Sequence, residues 1–304
     1  MKRILVTGAS GFIGKSLVNC LISKGLYVRT IGRTKSEGIE TIVCDFLKDV
    51  IPNNAFDNID TVIHLAGYAH DLKNKSKNTH IYNKLNVDVT DELLSLSINN
   101  DVKRFIFVSS VKAGGPTSKG ECFSEEDQIY PNEIYGRTKR DAELKVLEAG
   151  NRSNMHVSIL RPSLVYGPEV KGNLRLMISG ITNNWFPPPP HIKNVRSMIH
   201  LDDVIDAIQL LASKKSANMG IFIATDGEKY STREIYEEIC CSLGKASVSW
   251  GFPMLLFRII GFSSPSLKYK IQKLLGDECY CSDKLKLLGF EAKKRLANIN
   301  ETNF

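Results

Sequence analysis

The first fourteen residues constrain the fold more than any other part of this chain. A short apolar run over 4–6 is typical of a buried parallel strand. The glycines Gly8, Gly11 and Gly14 follow it, and an amphipathic helical pattern covers 12–21. In this order the first glycine permits a tight turn, the second lets the backbone approach a pyrophosphate, and the third lets helix and strand pack closely. Free N–H groups at the start of the helix would bind the phosphates. The segment therefore predicts a dinucleotide site, whose candidate residues are Gly8, Ser10, Gly11, Phe12, Ile13 and Gly14.

Predicted strands and helices alternate along the chain. Strands are predicted over 4–6, 26–31, 41–44, 60–66, 103–109 and 156–160, with one more over 220–224, and helices over 12–21, 78–99, 135–148, 202–212, 231–243 and 284–290. This alternation predicts an α/β fold, a doubly wound parallel (Rossmann) sheet with right-handed crossovers. The four prolines in 185–191 predict a rigid loop at the rim of a cleft. We expect an NAD(P)-binding domain over 1–165, to which 195–225 returns, and a smaller C-terminal substrate-binding lid over 166–304.

Composition narrows the class of protein. The 304 residues, 42% of them hydrophobic, can bury a full core. The net charge of +7 comes from Lys and Arg spread along the chain rather than from a basic run, so we expect no nucleic-acid partner. No stretch approaches the roughly 20 apolar residues of a membrane span. The most apolar segment, 251–262, is short and contains Arg258, which predicts a core or interfacial helix and no membrane partner.

The seven cysteines show no framework spacing. Their number is odd, Cys240 and Cys241 are adjacent, and Cys279-x-Cys281 lacks the second pair that a zinc site needs. We therefore predict reduced thiols, no metal site and a cytoplasmic location. A signal peptide is not expected, because glycines interrupt the apolar run at the start of the chain.

The ends of the second and third predicted strands bear on the cofactor. An acidic residue after the second strand would bind the ribose 2′-hydroxyl of NAD, but this chain has Gly32 followed by Arg33. Because arginine can pair with a 2′-phosphate in bidentate fashion, NADP(H) is favoured, while NAD(H) stays possible. After the third strand, Asp45 can accept a hydrogen bond from adenine and Phe46 can lie along the ring.

A tyrosine, a lysine and a serine form the candidate catalytic group. Tyr135 and Lys139 are four residues apart, on one face of a predicted helix. A buried ammonium beside a phenol stabilises the phenolate, so we expect the pKa of Tyr135 to be lowered toward the working pH. Ser110 follows the fifth strand, at the sheet edge where ligands bind. These residues predict proton transfer to or from a substrate oxygen.

With these motifs the sequence resembles the extended short-chain dehydrogenase/reductases, specifically the NAD-dependent epimerase/dehydratase family. The resemblance covers most of the chain and rests on TGASGFIG (7–14), CDF (44–46), HLAG (64–67), FVSS (107–110), YGRTK (135–139), RPSLVYGP (161–168) and VRSMIHLDDV (195–204). Within the family, the chain is most similar to the subgroup that contains UDP-glucose 4-epimerase-like proteins and 4-keto sugar-nucleotide reductases of O-antigen synthesis.

The resemblance implies roles for individual residues. Tyr135 would be the proton donor or acceptor, and Lys139 would also hold the nicotinamide ribose. The other cofactor contacts it implies are Asp45, Phe46, Leu65, Ala66, Gly67, Pro162 and Ser163. The substrate contacts are His70, Lys112, Asn173, Leu174 and Arg196, with Arg196 on the diphosphate of a UDP-linked sugar. The helices near 80–99 and 135–150 resemble a pair that forms a dimer interface, so a homodimer is expected.

Departures from the family pattern leave three readings open. Val111 and Lys112 replace the acid and base of the 4,6-dehydratases, which argues against that activity. The favoured reading is an NAD(P)-dependent reductase acting at C4 of a UDP-4-keto-6-deoxy-N-acetylhexosamine. The alternative is a 4-epimerase of UDP-glucose or UDP-N-acetylglucosamine, and the third is a dinucleotide-binding sensor without catalysis. Keeping Ser110, Tyr135 and Lys139 together argues against the sensor.

Overall fold

The computed structural model describes residues 1–69, 78–117 and 120–298. The strands are β1 (Arg3–Thr7), β2 (Tyr27–Gly32), β3 (Glu40–Val43), β4 (Thr61–His64), β5 (Arg104–Val108), β6 (Cys122–Phe123), β7 (His156–Pro162), β8 (Leu164–Tyr166), β9 (Met198–His200), β10 (Gly220–Ala224) and β11 (Cys279–Tyr280). The helices are α1 (Phe12–Ser23), α2 (Thr79–Asn83), α3 (Val89–Asn99), α4 (Ile134–Asn151), α5 (Gly172–Thr182), α6 (Leu201–Ser213), α7 (Thr232–Ser242), α8 (Met254–Ser263), α9 (Pro265–Leu275) and α10 (Asp283–Leu287).

Seven parallel strands form the central sheet, in the order β10-β7-β5-β4-β1-β2-β3. The order reverses beside β1, which pairs with β2 on one side and β4 on the other, so the crevice for ligands opens at their carboxyl ends. The predicted doubly wound α/β fold is confirmed. The strand predicted over 220–224 is β10, which pairs with β7 at the edge of the sheet.

Helices cover both faces of the sheet. On one face α1 and α6 pack against β1 and its neighbours in a cluster that includes Leu17, Leu21, Val204 and Ile208. On the other face α3 and α4 form a second cluster with the sheet. Because both faces are buried, the strands are nearly continuous apolar runs rather than alternating ones. This two-sided core holds the start of α1 and the start of α4 at the same sheet edge.

The long helix predicted over 78–99 is interrupted. Residues 84–88 form a π-helical turn between α2 and α3, and Asn86 in that turn is buried. A π-turn inserts one extra residue per turn, which redirects the side chains around it. The apolar spacing of the segment predicts its helical character but does not reveal this insertion.

The prediction that all cysteines are reduced is wrong. Cys122 and Cys279 are joined by a disulfide, while Cys20, Cys44, Cys240, Cys241 and Cys281 are free. The two bonded cysteines lie directly opposite each other in the parallel pair β6–β11, with Cα atoms 4.3 Å apart. The register of two strands separated by 157 residues brings them together, and spacing along the chain gives no sign of it. The cytoplasmic location therefore stays a prediction.

The C-terminal part is less regular than the sheet domain, and its role as a lid stays a prediction. Its helix α7 begins with a reciprocal cap between Ser231 and Glu234. The proline loop over 185–191 contains no helix or strand, as predicted, and Pro188 accepts a backbone hydrogen bond from Phe252. Within the described ranges, every helix is too short or too polar to cross a bilayer.

Candidate functional site

The glycine turn between β1 and α1 leaves no room for side chains. Gly8 has a φ of +74°, and a Cβ there would lie 2.6 Å from the amide nitrogen of Ala66. A Cβ at Gly14 would lie 2.1 Å from the carbonyl oxygen of Gly8. The backbone of the turn is therefore packed tightly against the residues that follow β4 and against the start of its own helix. This arrangement fits the pyrophosphate of a dinucleotide, in the way the spacing predicts.

The adenine end of the predicted site is more open. Gly32 ends β2, and Arg33 beside it is exposed, with no hydrogen bond or ion pair among the described residues. An exposed guanidinium there is available to a phosphate. Asp45 and Phe46 are half-buried after β3, and one carboxylate oxygen of Asp45 already accepts a hydrogen bond from the Leu47 N–H.

Asn86 is a site residue that the sequence reasoning missed. Its side chain accepts from the Tyr68 N–H at 2.7 Å and donates to the Tyr68 carbonyl at 3.2 Å. It also donates to the Thr138 hydroxyl on α4 at 2.9 Å. A Cβ at Gly67 would lie 3.0 Å from the Asn86 side-chain oxygen. One buried amide thus holds the loop over 65–68 against the helix that carries Tyr135, and an amide on an otherwise apolar helix face is the signal that could have revealed it.

A chain of hydrogen bonds beneath the turn connects it to the same asparagine. The Ala66 N–H donates to Thr7, the Thr7 hydroxyl lies 2.6 Å from Nδ1 of His64, and Nε2 of His64 lies 2.9 Å from the Thr90 hydroxyl. Thr90 in turn donates to the Asn86 carbonyl. These bonds fit a neutral His64 with its proton on Nε2. Burial, with the nearby Lys139 ammonium, lowers the pKa of His64 to about 3.

Ser110, Tyr135 and Lys139 meet at the carboxyl edge of the sheet. The Ser110 side chain lies beside the Tyr135 phenol and acts to lower its pKa. Lys139 follows one helical turn later, and only 3% of it is exposed. Its ammonium donates to the Val108 carbonyl at 2.8 Å and lies 3.9 Å from the centre of the Phe107 ring. The predicted trio therefore lies together, beside the loop over 65–68.

The pKa expected for Tyr135 is wrong in direction. Burial raises it to about 12, against the opposing effect of the neighbouring Ser110 hydroxyl. Burial also lowers the pKa of Lys139 to about 7, while the Glu143 carboxylate works against that shift. Because the Lys139 ammonium is directed to a backbone carbonyl and is itself desolvated, it does not offset the burial of the phenol. Tyr135 is thus a neutral phenol at neutral pH, ready to donate a proton.

A buried ion pair fixes α4 against β7. Both guanidinium nitrogens of Arg161 that face Glu143 are bonded to its carboxylate, at 2.9 and 2.6 Å. Pro162 ends β7, and Ser163 after it donates its N–H to Ala224. The Ser163 hydroxyl is buried and has no hydrogen-bond partner among the described residues, which leaves it available to a ligand.

Two of the predicted substrate residues share one carboxylate. The Lys112 ammonium lies 2.5 Å from one oxygen of Glu278, and the Arg196 guanidinium lies 3.2 Å from the other. Burial alone would raise the pKa of Glu278, but these two cations outweigh it and hold the pKa below its usual range. Lys112 and Glu278 line a cavity of about 300 Å³ together with Lys273, Asp277 and Glu133, the residue that precedes α4. Two cations and three carboxylates thus meet next to the helix that carries Tyr135, and Arg196 reaches this group from outside the cavity through Glu278.

The remaining predicted substrate residues are placed differently. Asn173 is exposed on α5, whereas Leu174 is buried in the cluster between α5 and α7, so its side chain serves packing rather than contact. His70 lies outside the described residues. Among the residues that the structure covers, no group of three or more His, Cys, Asp or Glu side chains is arranged to hold a metal ion.

The chain is similar to a known protein family, to curated relatives and to solved structures. The model of the NAD dependent epimerase/dehydratase family matches residues 4–223. A UDP-glucose 4-epimerase from Vibrio cholerae is 32% identical over 86% of this chain and 81% of its own. N-acetyl-alpha-D-glucosaminyl-diphospho-ditrans,octacis-undecaprenol 4-epimerase from Escherichia coli O157:H7 is 25% identical over 86% and 78%. The solved structure of MoeE5 in complex with UDP-glucose and NAD has a TM-score of 0.79 at 24% identity and covers 97% of this chain and 95% of that one. The chain belongs to the NAD dependent epimerase/dehydratase family.

Proposed function

We propose that this protein is a 4-epimerase of a UDP-linked hexose or N-acetylhexosamine. The observation that carries the proposal is the placement of Tyr135 beside Ser110, one helical turn from the buried Lys139 and beside a glycine turn that fits a dinucleotide. Two relatives support the choice, since both are named 4-epimerases of a sugar carried on a diphosphate. This reading was the alternative at the level of sequence, and the relatives now favour it.

In this proposal the glycine turn, Asp45, Phe46 and Ser163 hold the dinucleotide. Bound there, its nicotinamide ring supplies reversible hydride exchange with C4 of the sugar. Tyr135 takes the proton from the 4-hydroxyl and, after the intermediate keto sugar has turned its other face to the hydride donor, returns the proton to the same oxygen, while Ser110 hydrogen-bonds that oxygen. A positive charge brought near the phenol would lower the pKa of Tyr135 from its value of about 12 and allow it to act as the base.

The charged cluster supplies the second half of the site. Arg196 and Lys112 bind the diphosphate, and Glu278 balances their charge when no anion is bound. Substrate binding is then an exchange of one anionic partner for another. We further propose that the chain works as a homodimer through the face formed by α3 and α4, which pack against each other and leave Leu144 exposed.

A second candidate function is the C4 reductase, which is favoured by the residues at the end of β2. Gly32 and the exposed Arg33 suit a 2′-phosphate, and a cofactor of the NADP type is consumed by reductases rather than retained. In that reaction C4 of a 4-keto sugar is reduced and Tyr135 donates the proton to its oxygen. A neutral phenol suits this donation without any adjustment of its pKa.

One set of measurements separates the two. The purified protein is denatured and the released dinucleotide identified; then UDP-glucose and UDP-N-acetylglucosamine are added alone, and the products are followed by proton NMR. Retained NAD and conversion at C4 without added cofactor support the epimerase. The reductase is supported if the protein is purified without cofactor, prefers NADPH and acts only on a 4-keto sugar made by an upstream 4,6-dehydratase. Binding of a dinucleotide with no turnover of either substrate would contradict both.

A further inference from the structure

The hairpin of α8 and α9 exposes an apolar face. Of the fifteen large apolar side chains that are exposed among the described residues, five fall within 250–267: Trp250, Leu255, Leu256, Ile259 and Leu267. Leu255 and Ile259 are one helical turn apart and 67% and 55% exposed. Single exposed apolar residues are ordinary on a protein surface, but a row along one helix is not.

The inner side of the same helix is anchored. Phe257 lies on the side of α8 opposite Leu255 and is buried, with its ring 5.2 Å from that of Phe252. Apart from α9, no described helix or strand packs extensively against α8. One side of the helix is thus covered by Phe252, whose N–H donates to the Pro188 carbonyl, and the other side carries an outward row of apolar side chains. Such a row suits the boundary between lipid headgroups and acyl chains.

The charge of the surrounding segment is one-sided. Residues 239–276 contain five cations and no Asp or Glu, so this stretch alone carries +5 of the net +7 of the chain. The cations are Lys245, Arg258, Lys268, Lys270 and Lys273. Lys268 is exposed on α9, whereas Lys273 pairs with Glu133 and Lys245 bonds to the carbonyls of Ile181 and Thr182. The overall charge is thus less evenly spread than the composition indicates.

We propose that this face, Trp250 to Leu275, docks the protein on the surface of an anionic lipid bilayer, which replaces the expectation from the sequence that the chain has no membrane partner. Exposed leucine and isoleucine side chains would enter the acyl boundary, exposed tryptophan is suited to the headgroup level, and the exposed Lys268 would lie near acidic headgroups. Ten residues of α8 are far too few to span a bilayer, so the association is peripheral. A second copy of the chain is a poorer occupant, because two surfaces with the same excess of cations repel each other.

The docking face is joined to the candidate site. α9 ends at the cavity of about 300 Å³, where the Lys273 carbonyl accepts from Arg196 and the Lys273 ammonium pairs with Glu133. Docking would hold the mouth of this cavity close to the bilayer. The inference goes beyond the proposed function and does not depend on which C4 reaction is performed.

Vesicle binding by the full chain tests the proposal. Sedimentation is measured with vesicles of phosphatidylcholine mixed with phosphatidylglycerol and with vesicles of phosphatidylcholine alone. We expect binding to the anionic vesicles to be at least about tenfold stronger and to weaken as salt is raised. The chain has two tryptophans, and Trp250 is exposed, so its emission should shift to the blue on binding and most of the shift should be lost in Trp250→Phe.

A matched pair of double variants gives the decisive comparison. Leu255→Glu/Ile259→Glu places charges on the docking face, and Val50→Glu/Leu287→Glu places them on two other exposed apolar residues. The first should reduce vesicle binding at least about tenfold and the second should leave it unchanged, with both retaining the circular dichroism of the native protein. Equal binding by both variants, or no binding by the unaltered chain, overturns the proposal. The proposal is also overturned if the unaltered chain self-associates without vesicles and Leu255→Glu/Ile259→Glu abolishes this association. That result would assign the face to a second copy of the chain.

Discussion

The glycine turn at the start of the chain and the charged cluster around Glu278 are both suited to phosphate groups, and they are built in opposite ways. The turn is made of backbone within a few residues, and its shape follows from the absence of Cβ atoms at Gly8 and Gly14. The cluster joins side chains of Lys112, Arg196 and Glu278 from three distant segments, and each charge already has a partner. The first region is preformed by steric exclusion, whereas in the proposed function the second binds by exchange of partners. The following predictions test this difference, in order of expected effect.

Tyr135 lies between the two regions, and its hydroxyl should be the most costly group to remove. Tyr135→Phe should lower kcat about 10²–10⁴-fold, the usual contribution of a positioned acid or base. The dissociation constant for UDP should change little, since the lost group transfers a proton rather than holding the diphosphate. Steady-state kinetics and calorimetric titration with UDP measure the two quantities.

Tyr130→Phe is the matched control for that variant, because Tyr130 is an exposed tyrosine. It should keep the unaltered rate. If Tyr135→Phe retains a rate close to that of Tyr130→Phe, then Tyr135 is not the group that transfers the proton between the two phosphate-binding regions.

A methyl group at Gly14 should break the preformed region. In Gly14→Ala the new Cβ would lie 2.1 Å from a carbonyl oxygen of the turn, so the backbone must move, at a cost of about 3 kcal/mol or more. Dinucleotide binding should fall along with stability, as measured by urea unfolding and by fluorescence titration. Gly32→Ala is the control for stability, since its Cβ would make only an ordinary contact at 3.9 Å. Equal unfolding midpoints for the two variants would show that the turn is not sterically closed.

The sequence predicts features that depend on neighbouring residues better than it predicts contacts between distant segments. The turn, the parallel sheet and the position of Tyr135 one helical turn from Lys139 follow from patterns within a few residues, and these expectations of fold and placement agree with the structure. The pairing of Glu278 with Lys112 and Arg196 spans 166 and 82 residues, and no local pattern records it. The raised pKa of Tyr135 was missed for the same reason, because it depends on how deeply the tertiary fold buries the phenol.

Removing the charge of Glu278 should strengthen phosphate binding at the charged cluster. In Glu278→Gln the cations Lys112 and Arg196 lose their anionic partner, so the affinity for UDP should rise about tenfold, equivalent to about 1.4 kcal/mol. Titration calorimetry measures the change, and its salt dependence should be steeper than that of the unaltered protein. Arg196→Met should weaken UDP binding in the same assay. Weaker binding by Glu278→Gln would instead indicate that the carboxylate orients the two cations for the substrate.

The smallest expected effect is a fall in stability at low pH, which arises under the glycine turn and not at the Glu278 cluster. Folding holds the pKa of His64, beneath the turn, at about 3, whereas the free side chain titrates near 6.5. Between these values the unfolded chain binds more protons than the folded one, so stability falls as pH falls below 6.5. From pH 6.5 to 5.5 the loss of stability from this residue is about 1 kcal/mol, and His64→Gln should remove it from urea unfolding curves. His191→Gln, at an exposed histidine, should leave the loss in place.

The Glu278 cluster gives no such loss in that range, because its two cations keep the pKa of the carboxyl below the usual value. A loss of the same size in His64→Gln would mean that the region under the turn is not held by a buried neutral histidine, and that its rigidity comes from the glycine backbone alone.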